Sequence, residues 1–142
     1  MKKLFYILAL LIGMCNTVQA QKDKLSKEEF RNMQEKYIAE RANLTASESK
    51  QFFQLYFELQ DKKTSLNKEA WKKMRKGKEE NVSEAEYSQI VEDVIKTRIV
   101  IDKLELEYIH KYQEFLTSKK IYEIQRAEMK FHHELLRSKK KK

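Results

Sequence analysis

The chain has 142 residues, 37% of them charged, with two glycines, no proline and one cysteine. Such a composition argues against a compact, loop-rich or disulfide-stapled fold and favours slender helices with much exposed surface. The formal charge of +8 sits mostly at the ends, on Lys2, Lys3, Arg137 and Lys139 to Lys142, leaving a body of about +1 that offers no basic groove for nucleic acid.

The first 20 residues read as a cleavable secretory signal. Lys2 and Lys3 form the charged start, Leu4 to Met14 the apolar run, and Val18-Gln19-Ala20 the small-residue cleavage site. The apolar run is shorter than the roughly 20 residues a membrane-spanning helix needs, and no second run follows. The expectation is therefore a soluble periplasmic protein with no transmembrane anchor after cleavage. Cys15 leaves with the signal. Met14 before it, where a small residue is expected, argues against lipid attachment there. The mature chain, about 120 residues, is one domain with no thiol, held by packing alone.

Three helix starts are marked by capping boxes: Ser26 with Glu29, Thr45 with Glu48, and Ser83 with Glu86. Thr117 is a fourth cap, but Lys120 at the third helical position leaves its box incomplete. The expected helices are 26–41, 45–76, 84–115 and 118–137, within a domain spanning 21–137 and followed by a basic disordered tail at 138–142. Apolar stripes at spacings of three and four support each one. The first carries Phe30, Met33 and Tyr37. The second carries Phe52, Leu55, Leu59, Leu66, Ala70 and Met74. Tyr87, Ile90, Val94, Ile101, Leu104, Tyr108 and Phe115 mark the third, and Ile121, Ile124, Phe131 and Leu135 the fourth.

The fold class expected is all-α. Its centre is a long antiparallel helical hairpin whose two arms are each about 30 residues, or about 45 Å. Gly77 and Asn81 lie at the turn, and a helix flanks the hairpin on either side. Charge divides sharply at the turn. Lys62, Lys63, Lys68, Lys72, Lys73, Arg75, Lys76 and Lys78 face a single acid, Glu69, and then Glu79, Glu80, Glu84, Glu86, Glu92 and Asp93 follow without a base. Cations at one helix end and anions at the next start complement the helix dipoles. The same pattern also offers a recognition patch.

No catalytic constellation is present. Beyond residue 20 there is no cysteine nucleophile, no glycine-rich phosphate loop and no serine in a nucleophile-elbow context, so neither an enzyme nor a cofactor is expected. The histidines are His110, His132 and His133. His132 and His133 point about 100° apart on a helix and do not readily share an ion. His110 with Glu114, or Glu128 with His132, has the spacing of half a metal site, and surface histidines are the expectation. Aromatic residues are more informative. Phe52, Phe53, Tyr56 and Phe57 crowd two turns of one helix, so some are expected to look away from the hairpin. Phe52, Phe53 and Tyr56, with Phe30, Met33, Tyr37, Tyr112, Phe115 and Tyr122, form the expected client or dimer surface.

Two helix starts share more than a cap. Leu44-Thr45-Ala46-Ser47-Glu48 and Leu116-Thr117-Ser118-Lys119-Lys120 each place Leu-Thr at the opening of a helix. The pair resembles the LTxxQ family of envelope-stress proteins, which includes the Spy and CpxP chaperone-like proteins and metal-responsive relatives. The closing segment Ile121 to Arg137 is similar to small exported proteins labelled "sensor of ECF-type sigma factor". Glu48 and Lys120 stand where the family has glutamine. The resemblance implies a bent four-helix hairpin that dimerises into a shallow cradle. It also implies ATP-independent, chaperone-like holding of unfolded or damaged envelope proteins. Its alternative is a regulatory sensor docking on a membrane anti-sigma factor or histidine kinase.

Overall fold

The computed structural model describes residues 26–140, and for 138–140 the backbone alone. The signal segment with Cys15 and the last two lysines lie outside the described residues. Within them the fold is all-helical, with α1 Lys27–Arg41, α2 Ala46–Lys76, α3 Glu84–Gln113 and α4 Ser118–Lys140. Helix α4 runs past the expected end at 137 and into the segment read as a disordered tail. No described helix is long and apolar enough to cross a membrane.

The starts follow the caps. Each expected box is closed in both directions, because hydroxyl and carboxylate satisfy orphan N–H groups of the first turn. Glu29 N–H donates to Ser26 Oγ at 3.1 Å and Ser26 N–H to Glu29 Oε2 at 2.7 Å. The corresponding pairs are 3.2 and 2.8 Å at Thr45 and Glu48, and 3.3 and 2.8 Å at Ser83 and Glu86. Helix α1 ends in a Schellman motif built on an asparagine. Asn43 takes the left-handed conformation at φ 49°, and Leu44 N–H returns to Ala39 O at 3.1 Å. At the other turn Gly77 keeps a helical φ of −64°, and Asn81 is the left-handed residue at φ 65°.

Helix α2 lies against α3, and α1 against α4. Along the contact between α2 and α3, residues later in α2 meet residues earlier in α3. Lys63 pairs with Glu105, Lys73 Nζ sits 2.8 Å from Asp93 Oδ2, and Tyr87 Oη donates to Gly77 O at 3.2 Å. Between α1 and α4, Phe131 sits with its ring centre 5.6 Å from Phe30 and 5.3 Å from Tyr37. The apolar core draws on all four helices but fills only one end of the molecule. Ile38, Phe52, Phe53, Tyr56, Tyr108, Leu116 and Ile124 are among its buried members. Toward the 77–83 turn only Ala70 and Ile101 are buried, because α1 and α4 do not reach that far along the pair.

Candidate functional site

The two Leu-Thr segments are junctions between helices, and the local chemistry explains both residues. Leu44 closes the Schellman motif of α1 and Thr45 opens α2. Leu116 N–H donates to Tyr112 O at 2.8 Å to close α3, and Thr117 Oγ1 accepts from Lys120 N–H at 3.3 Å to open α4. Both leucines pack on the common core, Leu116 within it and Leu44 against it. The structure then brings the two junctions together. Lys120 Nζ lies 2.5 Å from Glu48 Oε2, the same oxygen that caps Thr45. The Lys120 ammonium, followed by the Thr45 N–H, holds the Glu48 carboxyl below its ordinary range. Glu48 and Lys120 are thus opposite charges that bond each other. Two helix starts meet here, joined through the carboxylate that caps the first and the ammonium carried by the second.

The residues expected at a client or dimer surface divide into three groups, and the first corrects the expectation. Phe52, Phe53, Tyr56 and Tyr112 are buried inside the single chain, Phe52 at 1% exposure. Phe52 contacts Phe53, Tyr56 and Tyr112 with ring centres 4.8 to 5.3 Å apart. Crowding on α2 was expected to force some rings outward. Instead α1 and α4 cover the directions that α3 leaves open. Phe30, Tyr37 and Phe115 are half-buried. Met33 and Tyr122 remain exposed.

The interior also carries a polar chain. Gln34 Nε2 donates to Tyr56 Oη at 2.8 Å, and Tyr56 Oη donates to Glu128 Oε1 at 2.6 Å, which ties α1, α2 and α4 to one hydroxyl. Burial, with the Glu128 carboxylate next, pushes the Tyr56 phenol far above its usual range, so it stays a donor. A second cluster joins α2 to α3. Tyr108 Oη donates to Glu58 at 2.7 Å and accepts from Lys62 Nζ at 2.8 Å, while Lys111 Nζ lies 4.2 Å from the centre of the Tyr108 ring. Tyr112 differs from both, because its buried hydroxyl has no hydrogen-bond partner among the described residues.

A surface that the periodicity did not single out lies on the two-helix section beyond the core. Trp71 is 64% exposed and Val91 60%, with Met74, Ile95, Ile99, Val100 and Leu106 also open. Trp71 and Met74 from α2 face Val94 and Arg98 from α3 across a groove of about 220 Å³. Spacings of three and four place Lys68 and Arg75 beside Trp71, Ile95 beside Arg98, and Val91 beside Ile95. The signal for this surface was in the sequence. Val91, Ile95 and Ile99 fall outside the stripe that α3 turns to α2, so α3 is apolar on a second side.

At the charge divide, Lys73 finds Asp93, whereas Lys68, Lys72, Arg75, Lys76 and Lys78 have no ion-pair partner among the described residues. The histidines are exposed, and only His132 approaches an acid, with Nε2 at 3.9 Å from Glu128 Oε1. Among the described residues no three His, Cys, Asp or Glu side chains are grouped so as to hold a metal ion. Comparison with protein-family models, with curated proteins and with solved structures finds no match to this chain.

Proposed function

We propose that the protein is an exported, ATP-independent holder of unfolded or damaged envelope proteins, of the LTxxQ type. One observation carries the reading. The outer flank of α2 and α3 leaves Trp71, Met74, Val91 and Ile95 open to solvent beside Lys68, Arg75 and Arg98. Exposed apolar groups ringed by cations suit brief contact with unfolded segments. The rings take up apolar side chains, and the cations hasten encounter with acidic stretches. In this reading α2 and α3 are the arms of an antiparallel hairpin, and two copies dimerise to turn their flanks into a shallow cradle.

The test is light scattering of a chemically unfolded client diluted into buffer with and without the protein, with no ATP or metal. Near-stoichiometric suppression of aggregation is expected. Trp71→Glu combined with Ile95→Glu should abolish it and leave helicity and melting temperature unchanged, since neither side chain is in the core. Full suppression by that double variant removes the proposed surface.

The unpartnered cations of the turn favour a second reading, a sensor that docks on an acidic face of a membrane anti-sigma factor or histidine kinase. Under that reading aggregation is not suppressed, and Arg75→Glu with Lys76→Glu abolishes signalling.

A further inference from the structure

Between α2, α3 and α4, inside the covered end of the molecule, lies a cavity of about 100 Å³. Its apolar wall includes Phe52, Leu59, Ile109, Ile121 and Ile124. Tyr112 is 4% exposed and its hydroxyl is unpaired among the described residues. Glu128 is part-buried; its Oε1 accepts from Tyr56 and lies 3.9 Å from His132 Nε2, and its Oε2 has no bond among the described residues. Burial and then the nearby Glu128 charge push the Tyr112 phenol upward, so it remains a neutral hydroxyl. Lys63 and Glu105, also on the lining, neutralise each other, which leaves Glu128 as the net charge of the lining.

We propose that this cavity binds a primary alkylammonium group, with its head between Glu128 and Tyr112 and its stem along the isoleucines. The chemistry matches on three counts. An ammonium carries three donors, the Glu128 carboxylate and the Tyr112 hydroxyl oxygen are acceptors, and the exposed Gln125 also belongs to the lining. One carboxylate balances one cation, since Lys63 on the lining is already paired with Glu105. The volume suits a chain of several small groups, since one water needs about 10–15 Å³ measured the same way. Two sources present that chemistry: a free alkylamine, and a lysine side chain of a bound polypeptide. The site is distinct from the outer flank of α2 and α3 and stands whether or not that flank holds clients.

The experiment follows the tyrosine ring resonances of the full chain by NMR during titration with n-butylammonium chloride. Neutral n-butanol and sodium chloride serve as controls. Butylammonium should shift Tyr112 and Tyr56 saturably, and butanol should not. Glu128→Gln, which retains the shape and an acceptor for Tyr56, should weaken binding at least about tenfold, the worth of a charge-assisted hydrogen bond. Tyr112→Phe should weaken it about threefold or more, and Glu134→Gln on the same helix should bind as the parent.

Nα-acetyl-lysine methylamide separates the sources. Binding as tight as butylammonium assigns the cavity to lysine side chains, and weaker binding assigns it to free amines; both uphold the site. Equal, unsaturable shifts with butylammonium and butanol would overturn it. So would unchanged affinity in folded Glu128→Gln and Tyr112→Phe.

Discussion

Replacing tyrosine by phenylalanine at three positions in one core is expected to give three different results. Each change removes a hydroxyl and keeps the ring packing. Tyr56 accepts from buried Gln34 and donates to part-buried Glu128, so its loss leaves the Gln34 amide without a partner and takes a donor from Glu128. Tyr56→Phe should cost about 2–3 kcal/mol. The hydroxyl of Tyr108 bonds Glu58 and Lys62, but those two also bond each other at 2.7 Å and reach solvent. Tyr108→Phe should cost about 1 kcal/mol. At Tyr112 the hydroxyl is buried with no partner among the described residues, so Tyr112→Phe removes a desolvated group and should gain about 0–2 kcal/mol. For a domain of this size 1 kcal/mol moves the melting temperature by about 4 °C. Thermal unfolding in amine-free buffer, followed by circular dichroism, should therefore show a fall of about 8–12 °C, a fall of about 4 °C, and a rise of up to about 8 °C. A loss at Tyr112 equal to that at Tyr56 would mean that the hydroxyl is bonded in solution and that the reasoning from burial is wrong.

The other predictions concern the core, an ion pair and a turn. Phe52→Glu with Tyr56→Glu should unfold the chain, because both positions are buried and an unpaired buried carboxylate costs several kcal/mol; a native-like melting curve would contradict the packing described. Asp61 accepts from Arg31 Nη2 at 2.6 Å and from Lys27 Nζ at 2.8 Å, and these bonds bring its carboxyl from 3.8 to about 2. Its contribution is present above the unfolded value and is lost as the pH falls from about 4 to about 2. Urea midpoints measured across that interval should fall less steeply in Asp61→Asn, and an identical slope would remove the pair's role. Gly77 has a helical φ, and an added Cβ would meet Met74 O and Tyr87 Cε1 at an ordinary 3.4 Å. Gly77→Ala should therefore stabilise by about 0.4–1 kcal/mol through the unfolded chain, and a loss of stability in urea titration would show that the turn needs glycine.

Much of the secondary structure is legible in the chain because it is decided within four residues. Ser26, Thr45 and Ser83 each meet a glutamate three positions on, and the helices begin where those pairs stand. Tyr112 and Phe52 show where such reasoning ends. Their spacing identifies an apolar side but says nothing of how many neighbours will cover it. With one partner helix some of the rings at 52, 53 and 56 would face water; with α1 and α4 across them none does. The opposite holds on the outer flank, where Val91 and Ile95 belong to a pattern as apolar as the core stripe and yet stay exposed.

The sequence by itself determined the helices, their caps and the two Leu-Thr junctions, since backbone N–H groups are satisfied by side chains a turn away. It did not determine that Glu48 and Lys120, 72 residues apart, would share one ion pair. Nor did it determine that Tyr56 would be bonded on both sides while Tyr112 was not, or that the core would fill one end of the molecule alone. Those outcomes depend on where α1 and α4 cross the central pair. Burial and hydrogen-bond partnership are settled by the elements that close around a side chain, and these come from distant parts of the chain.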